Sequence, residues 1–530
     1  MYLRSVREFV GRPMLDDRRP RRVVPRWRSS WVTARTPEAR ARKPGKLIDV
    51  APEIASKQLE LEFEKSVPVA AELMFLAAQG GDDAAAKKAA SLIVERQDKI
   101  GATQLVATAK RILEGAEPSS NAGHTKDFVR HARKLLAVDF RNPVLLMDVA
   151  RELTNKMQEN AALRYVRTAV ALAPQSRFVV RAAARYFLHV GDHERAHDIL
   201  RRSPILRFDP WVQASEIAVA TVRGKNSDLL RSALRTLNGQ ARPGADQSEL
   251  ASAVGTVELN EGSSKAAKSL FQKALLSPND NSLAQAEWAA TRLKLAINST
   301  ALSLPLSFEA NSNNAYRRLL IPEAIEHAKS WSDDEPYASR PLDALCYLYC
   351  LNSQFVEAEL AVEKAVRAEG KASISSLLNR IFVRTQLGKA DGVEAELSQL
   401  AARPDAKDHA VHILANAGAI AYSNGWLEEG RDFYQRAIKV ARSRGAVSEE
   451  ALARAYFARA ALLHGDPRAT EIVKEAEDSV RLLPSPGAIH IVSHLVGDKE
   501  RRALAAVADS RVAKARWSWD ALSNTLRLLE

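Results

Sequence analysis

The chain has 530 residues, 46% of them apolar and only 6% aromatic, with a formal net charge of +13. That length and apolar content supply ample core, while no run reaches the roughly 18 consecutive apolar residues of a membrane-spanning helix, so a soluble protein is expected. The two cysteines, Cys346 and Cys350, stand four apart in CYLYC, where a helix sets them on one face without the geometry of a bridge. Packed free thiols suit a reducing, cytoplasmic location.

The positive charge is gathered at one end. Met1 to Lys46 holds fourteen Lys/Arg against four Asp/Glu, which is +10 of the total, and the remaining chain is nearly neutral. Pro13, Pro20, Pro25, Pro37 and Pro44 break any helix there, so residues 1–46 read as a disordered, Arg/Pro-rich basic arm. Within DDRRPRRVVPRWRSSW, Asp16 to Trp31, Arg18, Arg19, Arg21, Arg22, Arg26 and Arg28 offer phosphate contacts, and Trp27 and Trp31 offer stacking faces. That mix allows contact with nucleic acid through a flexible arm. An Arg-rich, acid-poor start is also the composition of an organelle-targeting segment, with Leu3, Val6 and Val10 on one face of a short helix. A start codon placed too far upstream would prepend a similar stretch, and the sequence leaves these three readings open. A secretory signal is not among them, because MYLRSVREFVGRPML is interrupted by arginine throughout.

From Val67 onward the pattern is helical and repetitive. Two windows of 34 residues lie end to end, Pro143 to Ser176 and Arg177 to Pro210, and the small residues Ala150, Ala162 and Ala169 of the first align with Ala184, Ala196 and Ser203 of the second. The same template fits from Ser248 (Gly255, Ala267, Ala274), from Ser339 (Cys346, Ala358, Ala365) and from Val411 (Gly418, Gly430, Ala437), with weaker copies beginning near Val67, Pro210, Ile374 and Ala451. Each unit predicts an apolar-periodic helix, a turn, and a second helix, with small residues where the two approach closely. Gly191, Gly262, Gly388, Gly425 and Gly465 fall at the turn, and Asp192 and Asp466 follow as caps for the second helix.

The predicted organisation is a basic arm at 1–46, a solenoid segment at 47–297, a break at 298–314 where NSTALSLPLSFEANSNN is rich in Ser, Asn and Pro, a second solenoid segment at 315–484, and capping helices at 485–530. The small-residue pattern, the Gly-Asp turns of HVGDHERA and LHGDPRA, and the terminal prolines of ALAPQS and LLSPND resemble tetratricopeptide repeats. The resemblance covers most of Val67 to Pro484. It implies an all-α, right-handed solenoid of helical hairpins whose concave groove takes peptides or protein surfaces.

In that fold the first helix of each hairpin lines the groove, which nominates Arg151 and Asn155, then Arg181, Arg185 and His189 at successive i, i+4 steps. Guanidinium forks grip carboxylates in bidentate fashion, so the expected partner is an acidic peptide or protein. Catalytic chemistry finds little support. HERAH satisfies a zinc-protease pattern through His193, Glu194 and His197, with Glu216 available as a third ligand, but Ala196 already fills a repeat slot. His409 and His412 share a helix face and read as solvated or capping residues. There is no phosphate loop, nucleophile elbow or Cys-x-x-Cys pair. The expected protein is a non-enzymatic protein-interaction scaffold with neither cofactor nor metal, with a nucleic-acid-associated protein and a zinc hydrolase as the alternatives.

Overall fold

The structure is a computed structural model that describes Pro25–Arg28, Ser30, residues 50–496 apart from 81, 101–103, 115–125, 139–140, 239–244, 296, 298–306, 369–371, 390, 405 and 483–484, and Leu526. Among the described residues the regular structure is entirely helical, and no helix is long and apolar enough to cross a membrane. The chain divides into two compact units. Of the described residues, one comprises those from Pro25 to Ala310 with Asp333–Tyr337, and the other comprises Asn311–Ser332 and those from Ala338 onward.

Both units are stacks of helical hairpins, a tetratricopeptide-like architecture. In the first, Pro143–Asn155 pairs with Glu159–Leu172, Arg177–His189 with His193–Arg202, and Ala245–Glu261 with Ser264–Ala274, while Pro210–Val222 packs chiefly against Ala245–Glu261 and only lightly against Leu230–Asn238. Side-chain caps start many of these helices. Asn142 accepts from the Leu145 amide, Asp192 from Arg195, and Asp209 from both Trp211 and Val212, so donors that the helix cannot satisfy are met locally. The two helices of a hairpin are buried unequally. Every residue from Pro210 to Ala220 is buried, whereas His193–Arg202 buries only Ala196, His197 and Leu200. First helices are therefore packed on nearly all sides, and second helices turn a broad face to water.

The small-residue slots are where hairpins close. Ala150, Ala162, Ala169, Ala184, Ala196, Ala267, Ala274, Ala358, Ala365 and Ala437 are all fully buried. Seven residues beyond the first slot the chain reverses through a left-handed residue, at Gly191 (φ 79°) and Gly425 (φ 82°). The same position is left-handed in repeats without glycine, at Met157 (φ 58°) and Ser353 (φ 57°), so the turn geometry is imposed by hairpin packing over the residue's own preference. Gly262, expected at such a turn, is not among the positive-φ residues.

In the second unit two slots interlock. A Cβ at Gly418 would lie 2.6 Å from Cδ2 of Tyr434, and one at Gly430 would lie 2.6 Å from Cδ2 of Tyr422. Both rings are almost wholly buried, and the Tyr422 hydroxyl is tied to Asp466 at 2.6 Å. Neither ring can withdraw. Gly430→Ala should therefore lower stability by about 1–2 kcal/mol, the overpacking cost exceeding the gain in helix propensity. Urea denaturation checks this, and a neutral or stabilising result would contradict the packing.

Three expectations need correction or lie outside view. Of the loop expected over 298–314, residues 298–306 lie outside the described residues, and the expectation is overturned at 308–314, where Phe308–Arg317 is a helix. Its Asn311, Ser312 and Asn313 are buried, and the Ser312 hydroxyl donates to the Ala324 carbonyl at 3.0 Å, so polar residues that suggest a loop are satisfied internally. Of the capping region at 485–530, Pro486–Val496 is helical, Leu526 lies in the core of the second unit, and the remainder lies outside the described residues. The basic arm is not free at Pro25–Arg28 and Ser30, where Trp27 is 0% and Arg28 3% exposed, because an acidic seat in the first unit takes up their charge.

Candidate peptide-binding groove

The seat is formed mainly by first helices. Asp148 and Arg151 come from Pro143–Asn155, Tyr186 from Arg177–His189, Asp280 opens Asp280–Leu293, Glu309 lies in Phe308–Arg317, and Asp334, Glu335 and Tyr337 stand around the end of Ile321–Asp334. The indole of Trp27 meets the edge of Tyr186 at 5.9 Å and the ring of Tyr337 at 5.8 Å. Its main chain is held as well. The Trp27 carbonyl accepts from Arg151 Nε at 3.3 Å and from the Tyr337 hydroxyl at 2.9 Å, while the Trp27 amide donates to that hydroxyl at 3.3 Å. Burial pushes the Tyr337 phenol up to about 12, so it remains a donor across the physiological range.

The flanking arginines are bound by carboxylates from distant parts of the chain. Arg26 reaches Glu335 at 2.7 Å, Glu309 through a short contact and Asp280 at 3.7 Å. Arg28 reaches Asp280 and Asp334, each at 2.6 Å. Burial works against the charge of Arg26, yet Glu335, Glu309 and Asp280 outweigh it and hold the guanidinium well above its ordinary pKa. Arg28 behaves alike, with burial opposed by Asp280 and Asp334. Four carboxylates thus face two guanidiniums, which makes this part of the groove acidic.

Ser30 completes the seat by donating its amide to Asp148 Oδ1 at 2.9 Å and its hydroxyl to Oδ2 at 2.5 Å. Burial pushes the Asp148 carboxyl up to about 6, against the lowering effect of those two bonds and of Arg151. The folded chain keeps this proton below about pH 6, but an unfolded chain keeps it only below about pH 4. Ionisation above pH 6 therefore costs stability, and the cost is relieved as pH falls from 6 toward 4. Asp148→Asn can keep an acceptor for the Ser30 amide and offer a donor to its hydroxyl. It should raise stability at pH 7.5 by up to about 3 kcal/mol and leave it unchanged near pH 4. Denaturation of both proteins at the two pH values checks this, and a gain independent of pH would contradict it.

The cations nominated from the sequence occupy the same unit but are engaged within it. Arg151 is 4% exposed, pairs with Glu152 at 3.2 Å and donates to the Asp334 carbonyl at 2.6 Å. Asn155 donates to Glu152 at 3.4 Å. Arg181 is 2% exposed, with Nε on Ser215 at 2.9 Å and a terminal nitrogen on Glu249 at 2.6 Å. Arg185 lies over Tyr337 at 5.2 Å, and the His189 ring meets the same tyrosine at 5.8 Å. Of the arm residues, Arg26, Trp27 and Arg28 are in the seat, and Arg18, Arg19, Arg21, Arg22 and Trp31 lie outside the described residues. The carboxylates of the seat escaped the sequence reading, since Glu309 and Glu335 stand 283 and 309 positions from Arg26 and no local pattern links them.

HERAH is accounted for by packing. His193 is exposed, Glu194 pairs with Arg223 at 3.0 Å, and His197 is buried with Nε2 against Glu216 at 2.8 Å and Nδ1 against Arg223 at 2.6 Å. Both ring nitrogens of His197 are taken, one of them by a cation, which disfavours a second cation there. Among the described residues no group of three or more His, Cys, Asp or Glu is placed to hold a metal ion. Both cysteines are buried free thiols.

Fold and seat together define an all-helical protein of stacked hairpins in which Pro25–Arg28 and Ser30 lie against first helices of one unit. No family model matches the chain, and no curated protein matches it. Among solved structures it is similar to the APC/C hetero-tetramer Cut9–Hcn1, at 13% identity over 90% of this chain and 92% of that one with a TM-score of 0.32. It is similar also to a human IFIT1 dimer with PPP-AAAA, at 13% identity over 86% and 99% with a TM-score of 0.27, and to yeast Tom70, at 11% identity over 88% and 95% with a TM-score of 0.25.

Proposed function

We propose that the chain is a non-enzymatic interaction scaffold that binds a stretch of polypeptide along the first helices of its N-terminal unit. The observation that supports this reading is the seat itself, in which Pro25–Ser30 is gripped by main-chain hydrogen bonds at Trp27 and Ser30 and by side-chain pairing at Arg26 and Arg28. Main-chain contacts hold a segment whatever its side chains are, and the carboxylates and aromatic rings beside them select those side chains. A cytoplasmic location belongs to the same proposal and agrees with two free cysteines. Nucleic-acid contact through the arm is the weaker reading, because Arg26, Trp27 and Arg28 are consumed in the seat and the carboxylates around them repel phosphate.

The test is photo-crosslinking from a benzoylphenylalanine placed at Asn155, beside the seat, in full-length protein exposed to cell lysate. The expected adduct is with a protein, identified by mass spectrometry, and it should be reduced by Asp334→Asn/Glu335→Gln. Adducts with RNA would favour the alternative. Adducts indifferent to the double substitution would remove the groove as the binding surface.

A further inference from the structure

Resting on that reading, we propose that Pro25–Ser30 is a displaceable internal ligand, and that the groove's partner in trans is a polypeptide segment in which an aromatic residue stands between two arginines. The seat has the features of a recognition site for this chemistry. Asp280, Glu309, Asp334 and Glu335 divide between the arginines on either side of Trp27, with Asp280 reaching both. Tyr186 and Tyr337 frame the indole, Tyr337 reads both polar atoms of its main chain, and Asp148 takes a hydroxyl residue three positions beyond it. An acidic peptide or a nucleic acid would meet these carboxylates as like charge.

Release leaves the hairpins whole. The helices that supply the seat also carry buried residues of their own, such as Leu146, Met147 and Val149 in Pro143–Asn155 and Val179, Ala183 and Phe187 in Arg177–His189. The arginine pairs confer selectivity more than net stability, since the desolvation of each charge offsets most of its attraction. An internal segment competes with an external one at the effective concentration set by its tether, on the order of millimolar. The apparent affinity for the external ligand is then reduced by the fraction of time that the groove stands open.

The probe is a fluorescein-labelled peptide VPRWRSS, titrated by anisotropy against the full-length chain and against full-length Arg26→Glu/Trp27→Ala/Arg28→Glu, which vacates its own seat. The variant should bind the probe at least tenfold more tightly than wild type. Binding should weaken with salt and be lost when the probe's tryptophan becomes alanine or its arginines become glutamate. Equal or weaker binding by a folded variant overturns the proposal. If the variant proves unfolded by circular dichroism, wild-type protein decides, because saturating unlabelled peptide should accelerate hydrogen exchange at the Trp27 and Ser30 amides, and unchanged exchange overturns displacement. A concentration-dependent dimer of wild type that the peptide dissolves would identify the occupant as the arm of a second copy and overturn a separate partner. No probe binding by the folded, vacated variant, with lysate adducts at Asn155 that Asp334→Asn/Glu335→Gln reduces, would sink the ligand chemistry alone. Probe binding with no lysate adduct would sink the scaffold reading instead.

Discussion

Arg181→Met is expected to lower the free energy of unfolding by about 3–5 kcal/mol, because it strips a charged partner from a carboxylate that has no access to water. Glu249 is 0% exposed and accepts from Arg181 at 2.6 Å, from Asn281 at 2.9 Å and from Asn279 at 2.8 Å. The amides of Asn279 and Asn281 stay on Glu249 in the variant but carry no charge, and removing a cation from a buried carboxylate is strongly penalised. Adding Glu249→Gln should restore most of the loss, since a neutral side chain there needs only hydrogen bonds. Urea denaturation of the single and double variants measures both quantities. A loss below about 1 kcal/mol for Arg181→Met would mean that water reaches Glu249, and the residue would return to being a candidate groove contact.

Trp27→Ala has the next largest expected effect, and it should differ in kind. Truncating a fully buried tryptophan costs about 3–5 kcal/mol where the surroundings cannot collapse, and Trp27 is 0% exposed between Tyr186 and Tyr337. The cost here is limited by the free energy of seating, since a segment that lets go cannot lose more. Seating should fail locally while the hairpins stay folded. Exchange at the Ser30 amide, which is bonded to Asp148, should approach that of an open chain, and helicity should be nearly unchanged. Arg28→Ala added to this variant should do little more, because the contacts of Arg28 with Asp280 and Asp334 are lost with the same release. Fully additive effects, or global unfolding in the single variant, would show that Pro25–Ser30 is part of the fold instead of a ligand for it.

Much of the architecture could be read from local features. Apolar spacing and the recurring Ala and Gly slots at 34-residue intervals specify helical hairpins, and the slots are buried as that pattern requires. The Asp192 cap and the reversals at Gly191 and Gly425 were legible too, since each is settled within a few residues of chain. The equivalent reversals at Met157 and Ser353 were not, because those residue types do not ask for a left-handed conformation and only the packing of the hairpin demands it. HERAH shows the same limit from the other side. Its spacing suits zinc, but burial of His197 against Glu216 and Arg223 and exposure of His193 are properties of the packed stack.

The groove was the least legible part. Sequence periodicity identified which face of the first helices would carry Arg151, Arg181 and Arg185, but not whether those cations would meet solvent, a partner or the protein's own carboxylates. Periodicity encodes a residue's angle around its helix and nothing about what stands opposite. Likewise the composition of the arm marked it as charged and unable to form a helix, while its docking depends on Asp280, Glu309, Asp334 and Glu335 converging from remote positions. Helix, turn and slot are short-range consequences of covalent geometry and burial, which is why residues 67–482 announce their hairpins. The pairing of charges is a long-range consequence of the completed stack, so only the tertiary structure decides that Arg26 and Arg28 lie in an acidic seat.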